Sequence, residues 1–94
     1  MALARVVSFE GVSKDRMEQM KREMDASERP EGVPATEILV LHDPTADKSL
    51  AILFFESEDD YRTGDEALNA MPAADTPGKR TSVTKYDVVS RVKV

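Results

Sequence analysis

Three polar side chains are the candidates for chemistry in this chain. His42, the only histidine, ends an apolar segment, where it could act as a general acid, a base or a ligand. It could equally be a strand-end residue hydrogen-bonded near a turn. Tyr86 could donate its hydroxyl to a bound carbonyl or quinone, or be a buried tyrosine with one satisfied hydroxyl. Arg5 is a third polar group for a pocket. Asp43 follows His42 directly and would point to the opposite face of a strand, so it does not orient the imidazole there.

Two charged clusters favour structural roles. Glu58, Asp59 and Asp60 carry the oxygens that Mg²⁺ and Ca²⁺ prefer, but consecutive helical positions fan out around the axis, and acids in a first turn are typical of a helix N-terminus. Five basic residues could bind an anionic ligand or protect a strand edge from pairing: Lys79, Arg80, Lys85, Arg91 and Lys93. No nucleotide-binding, nucleophile-elbow or zinc motif occurs. We therefore expect neither a metal nor another cofactor.

Composition restricts the class of protein. Residues 1–94 make a single domain, and 40% hydrophobic with 33% charged residues is typical of a soluble globular chain. The net charge of −5 disfavours nucleic acid as a partner, and no apolar run approaches the about 18 residues of a membrane span. The absence of cysteine excludes disulfides and thiol catalysis, and we expect a cytoplasmic location. Residues 56–66 are acidic and residues 78–94 basic, which predicts that these segments face each other or a partner.

The segment 36–56 organises the domain. It reads T-E-I-L-V-L-H-D, then a loop opened by Asp43-Pro44, then L-A-I-L-F-F-E, which predicts an antiparallel hairpin. Alternation places Ile38, Val40 and His42 on one face and Glu37, Leu39 and Leu41 on the other. On the partner strand, both sets of alternate residues are also apolar. The hairpin therefore has apolar side chains on both faces.

The other elements are predicted from helix-capping residues, from the spacing of apolar residues and from residues that end helices. Residues 4–12 predict a strand. Ser13 predicts the start of a helix to Ser27, with a stripe of Met17, Met20 and Met24. Ser57 predicts a second helix that ends by Pro72. Residues 80–94 have strand character but exceed the usual strand length, which predicts a bulge or an overhanging arm.

The resulting order is β-α-β-β-α-β, a ferredoxin-like α+β fold with a four-stranded antiparallel sheet and two helices on one face. Its other face would leave the hairpin's apolar side chains in water, so we expect a homodimer through this helix-free face. Met17, Met20, Phe9 and Phe54 could line a pocket for a small apolar ligand. The methionines otherwise belong to the core, and the phenylalanines to the core or the dimer interface.

The chain resembles the dimeric α+β barrel superfamily, which includes the antibiotic-biosynthesis-monooxygenase-like proteins. The residues that carry this resemblance are the hairpin end F-F-E and the stretch S-E-D-D-Y-R-T-G-D-E-A-L-N-A-M-P, which is similar to small bacterial members. The resemblance implies two sheets that close into a barrel across a dimer. The sequence differs from that of the haem-degrading members, because the chain has no tryptophan and its only asparagine, Asn69, lies in the second helix.

Three functions are compatible with this sequence. The first is a homodimeric barrel with a structural or small-ligand-binding role, favoured because no catalytic motif is found. The second, implied by the resemblance alone, is a cofactor-independent monooxygenase or isomerase acting on an apolar aromatic or polyketide-like substrate, with Tyr86, His42 or Arg5 in the pocket. The third is an accessory ligand-sensing module.

Overall fold

The predicted ferredoxin-like fold is confirmed. A computed structural model describes residues 2–26, 32–70 and 78–94. The elements follow the order β1 (Leu3–Glu10), α1 (Lys14–Ala26), β2 (Glu37–Asp43), β3 (Lys48–Phe55), α2 (Glu58–Asn69) and β4 (Lys79–Asp87). The four strands form one antiparallel sheet in the order β2-β3-β1-β4.

The β2–β3 hairpin closes where the Asp-Pro pair predicts a turn. The Asp43 carboxylate accepts hydrogen bonds from the backbone N–H groups of Thr45 at 3.0 Å and Ala46 at 3.2 Å. Asp47 takes a positive φ of 53°, a conformation that aspartate tolerates better than most residues. These bonds set the register that pairs Asp43 with Lys48.

Both helices begin at the predicted caps. The Ser13 hydroxyl accepts from the backbone N–H of Arg16, and the Ser57 hydroxyl accepts from that of Asp60, each at 3.1 Å. These bonds satisfy N–H groups that the first helical turn leaves unpaired. Ser27, the predicted last residue of the first helix, lies outside the described residues. Neither described helix is long and apolar enough to span a bilayer.

The two helices pack on the same face of the sheet, which we call the covered face. Its buried residues form two clusters, one with Leu3, Leu53 and Phe55 against Tyr61 of α2, and one with Val7, Phe9 and Val12 against Met17 of α1. Phe55 and Tyr61 meet edge to face, with their ring centroids 5.5 Å apart.

No described helix lies on the opposite face, which we call the helix-free face. It presents a set of apolar side chains from all four strands: Ala4, Val6, Leu39, Leu41, Leu50, Ile52, Phe54 and Tyr86. Leu39, Leu41, Leu50 and Tyr86 are 42%, 50%, 37% and 54% exposed. The predicted apolar character of both hairpin faces is therefore present in the folded protein.

The last strand is shorter than the segment 80–94 from which it was predicted. β4 ends at Asp87, and its register against β1 shifts between Ser8 and Phe9, so that Thr81 is an extra residue. Residues 88–94, called the arm from here on, continue outside the sheet. Both predicted features, a bulge and an overhanging arm, are present.

Candidate functional site

A groove of about 470 Å³ opens at the end of the sheet that carries the β2–β3 turn. Two cross-strand rows of the helix-free face contribute to it, one of Ser8, Leu50 and Leu41 and one of Glu10, Lys48 and Asp43. The other lining residues are Phe9, His42, Ser49 and Thr81. The groove therefore joins an apolar part, toward the centre of the sheet, to a charged end that has two carboxylates and one ammonium group.

His42 lines this groove and has a hydrogen bond that determines which of its nitrogens is free. Its Nε2 atom lies 3.0 Å from the Val12 carbonyl oxygen, which can only accept, so Nε2 carries the proton. In neutral imidazole, Nδ1 is then the available acceptor. This contact is the predicted strand-end hydrogen bond, and it holds the imidazole on the covered face, in one cross-strand row with Ser49 and Phe9.

The neighbours of His42 do not activate it. Ser49 pairs with His42 across the hairpin, but its hydroxyl donates to the Leu41 carbonyl at 2.8 Å. The Asp43 carboxylate accepts from the turn backbone. A serine, a histidine and an aspartate thus lie close together without the nucleophile–base–orienter chain that hydrolysis requires.

Arg5 lies on the covered face and is only 2% exposed. Its Nε donates to the Asp65 carboxylate at 2.8 Å, and its Nη2 donates to the Asn69 side-chain oxygen at 3.1 Å. Arg80 donates to the same Asn69 oxygen at 2.9 Å, and Asn69 in turn donates to Asp65 at 3.3 Å. The guanidinium group of Arg5 therefore joins β1 to α2, and it is not presented to the groove.

Tyr61 and Lys85 extend this polar contact between α2 and the sheet. Burial raises the pKa of Tyr61, an effect reinforced by the Asp65 and Glu58 carboxylates and opposed by the Arg5 and Lys85 cations. The phenol therefore stays protonated at neutral pH. Lys85 lies 5.1 Å from the centre of the Tyr61 ring and contacts both carboxylate oxygens of Glu58 at 2.7 Å. The predicted meeting of the acidic and basic segments occurs at this ion pair.

The structure does not bring the three candidate catalytic residues together. Tyr86 pairs with Ala4 and lies on the helix-free face. Arg5 lies on the covered face, and His42 lies at the turn end of the sheet. These residues therefore cannot act on one substrate atom within a single copy of the chain.

The four predicted pocket residues are also divided by the sheet. Phe9 and Met17 pack together on the covered face, and Met20 is half-buried on α1. Phe54 lies on the helix-free face, where it pairs with Ala4 and Glu37. Of the four, only Phe9 lines the groove.

The charged clusters take the structural positions that their sequence favours. Glu58 pairs with Lys85, and Asp59 pairs with Arg62 at 3.1 Å. Among the described residues, no group of three histidine, aspartate or glutamate side chains is arranged to hold a metal ion.

Sequence reasoning missed Asp65 and Asn69 as partners of Arg5. Their spacing of four residues on one helix face was the available signal, because it places two polar groups over the same point of the sheet.

Comparisons with protein-family models, with curated proteins and with solved structures find no match to this chain. The geometry of the chain itself is therefore the basis for a functional argument. It establishes a small ferredoxin-like α+β domain with one covered sheet face and one helix-free sheet face.

Proposed function

We propose that this protein is a homodimeric α+β barrel that binds a small apolar ligand, formed when two copies pack their helix-free faces together. The observation that carries the proposal is the apolar surface of that face. Three leucines and a tyrosine, each more than a third exposed, lie beside half-buried Val6, Ile52 and Phe54.

The free energy of this surface supports self-association. Apolar surface removed from water contributes about 25 cal/mol per Å², and monomers rarely leave a continuous apolar patch larger than about 600 Å². Two sheets pack face to face at about 10 Å, a distance that lets side chains such as Leu39 and Leu41 interdigitate. A two-fold dimer buries the same face on both copies, so the helix-free face is the whole interface and no second surface is needed.

The groove supports a ligand-binding role for the dimer. It opens beside Leu41 and Leu50, so a second sheet packed on this face would separate it from solvent. A ligand enclosed there would contact Leu41 and Leu50 along its apolar body and the Lys48 ammonium group at its polar end. Binding is favoured over catalysis because Arg5 and Tyr86 lie on opposite faces of the sheet.

The dimer is tested with two variants of matched exposure. Leu39→Glu places a carboxylate on the helix-free face at a position that is 42% exposed, and Val83→Glu places one on the covered face at a position that is 38% exposed. Because burying an unpaired charge is costly, we expect light scattering to give twice the chain mass for wild type and Val83→Glu, and the single chain mass for Leu39→Glu. A folded wild-type monomer at micromolar concentration would contradict the proposal.

The ligand role is tested by titrating the same proteins with naphthol in a calorimeter. Neither substitution changes a residue that lines the groove. We expect saturable binding to wild type and Val83→Glu, with affinity at least about tenfold weaker for Leu39→Glu, because the groove of the single chain stays open to water. Equal affinity for all three proteins would show that enclosure by a second copy is not needed.

A further inference from the structure

The arm lies over one end of the helix-free face. The backbone N–H of Val88 donates to the Ala2 carbonyl at 3.0 Å, which continues the pairing of β4 with β1. Further along, the Arg91 guanidinium lies 4.4 Å from the centre of the Phe54 ring and forms an ion pair with Glu37. Phe54 and Glu37 are cross-strand neighbours on β3 and β2. The arm therefore runs from the β4 edge of the sheet to its β2 edge.

Arg91 occupies apolar surface that a second copy would bury. Its guanidinium lies over one side of the half-buried Phe54 ring, where the ring quadrupole attracts a cation. A side chain from another sheet that packs on the same side of this ring has to displace Arg91. The arm of a chain and a second copy therefore compete for Phe54.

The ion pair of Arg91 with Glu37 is still hydrated in the single chain. The two side chains are 48% and 42% exposed. A second sheet over this end of the face would remove that water, and dehydrating an ion pair costs free energy that its attraction only partly returns. If Arg91 leaves, Phe54 becomes free for apolar packing, and Glu37 lies on an edge strand where its carboxylate can stay in water. Displacing the arm is therefore favoured over burying it.

The arm is fastened lightly enough to be displaced. Val89 and Val92, on either side of Arg91, are 94% and 76% exposed. Among the described residues, no backbone hydrogen bond joins residues 89–94 to the sheet. Exposed ion pairs and exposed cation–π contacts are each weak in water. Releasing the arm therefore requires breaking the contacts of one side chain, Arg91.

We infer that the arm is an intramolecular competitor for the helix-free face: held by Arg91 it weakens dimerisation, and it leaves Phe54 when a second copy packs there. This role of the arm rests on the proposed dimer and adds the device that sets its affinity. It does not depend on the angle between the two sheets, because each copy has to uncover its own Phe54. A two-fold dimer releases two arms, so an effect of about threefold per arm changes the dissociation constant about tenfold.

A pair of arm variants tests the competition. Arg91→Gln and Lys93→Gln each remove one positive charge from the arm, and of the two side chains Arg91 is the one that contacts Phe54 and Glu37. We expect Arg91→Gln to dimerise about tenfold more tightly than wild type, and Lys93→Gln to stay within about threefold of wild type. Analytical ultracentrifugation with fluorescence detection measures the three dissociation constants down to nanomolar concentrations.

Trypsin supplies a second readout on the wild-type chain, because it cleaves after arginine and lysine. Arg91 is held on the face in the single chain and released in the dimer, whereas Lys93 is exposed and serves as the internal control. We expect the initial rate of cleavage after Arg91, relative to that after Lys93, to rise several-fold from single chains to dimer. Mass spectrometry measures this ratio. A ratio that falls on dimerisation would show that the arm is held within the interface, which contradicts the competition.

The outcomes separate this role of the arm from the dimer itself. If Arg91→Gln leaves the dimer unchanged or weakens it, or if Lys93→Gln tightens it equally, the competition is wrong and the dimer stands. A wild-type single chain beside a dimeric Arg91→Gln would support the competition and contradict a wild-type dimer. If all three proteins are folded single chains at the highest concentration, both proposals fail.

Discussion

At the scale of single residues, the ion pair between buried Arg5 and half-buried Asp65 joins β1 to α2. Arg5 is only 2% exposed, so its guanidinium group has lost most of its hydration and depends on Asp65 and Asn69 for compensation. We expect Asp65→Ala to lower the free energy of unfolding by about 3 kcal/mol, because Arg5 stays buried without a counter-charge. Urea unfolding followed by circular dichroism measures this loss.

The same helix supplies the control for this prediction. Asp59 pairs with Arg62 at the surface, and both side chains are exposed, so Asp59→Ala should change stability by less than about 1 kcal/mol. Replacing Arg5 and Asp65 together with Met and Leu should restore much of the loss. If Asp59→Ala and Asp65→Ala lowered the free energy of unfolding equally, the ion pair of Arg5 would be no more stabilising than an exposed one.

Gly64→Ala should have the opposite of the usual effect of a glycine-to-alanine change on helix stability. A glycine-to-alanine change inside a helix normally stabilises it by about 1 kcal/mol. At this position, a Cβ atom would lie 2.5 Å from Cε1 and 2.7 Å from Cζ of Phe55, which is fully buried. We therefore expect Gly64→Ala to destabilise the protein by about 2 kcal/mol. Thermal unfolding of Gly64→Ala and of Gly64→Ala/Phe55→Leu tests the cause, since the smaller leucine should recover part of the loss.

At the scale of elements, the two helices differ in how firmly they are held. α2 buries Tyr61 and Gly64 and is joined to β1 and β4 through Arg5 and Lys85. In α1, none of residues 14–23 is buried, and Met17 provides the contact with the sheet cluster. Because local opening is easiest where few apolar groups are buried, we expect α1 amides to exchange with deuterium at least about tenfold faster than α2 amides. Exchange followed by NMR tests this, and equal protection would show that α1 is held by more than Met17.

At the scale of the whole molecule, dimerisation should appear as a concentration-dependent melting temperature. A dimer that unfolds to two separate chains gains stability by mass action as protein concentration rises. Between about 1 µM and about 100 µM we expect the melting temperature of wild type to rise by several degrees, and that of Leu39→Glu to stay constant. Differential scanning calorimetry at the two concentrations measures both. A constant melting temperature for wild type would indicate that the helix-free face is not buried on a second copy.

The sequence by itself determined the elements and their order. Ser13 and Ser57 cap their helices through bonds spanning three residues, Asp43 closes its turn through bonds spanning two or three, and strand alternation has a period of two. Such signals act between residues close together in sequence, so they can be recognised without knowledge of the tertiary structure. The apolar character of both hairpin faces followed from the same alternation, and with it the expectation of an association surface.

Only the tertiary structure decided which side chains meet. Arg5 lies 60 residues from Asp65 and 64 from Asn69, and nothing local distinguishes a buried ion pair from a pocket arginine. The need for glycine at position 64 depends on the ring of Phe55, and the position of the arm depends on Phe54 and Glu37. These contacts join segments distant in sequence, so they exist only after the sheet register has placed each strand beside its partner.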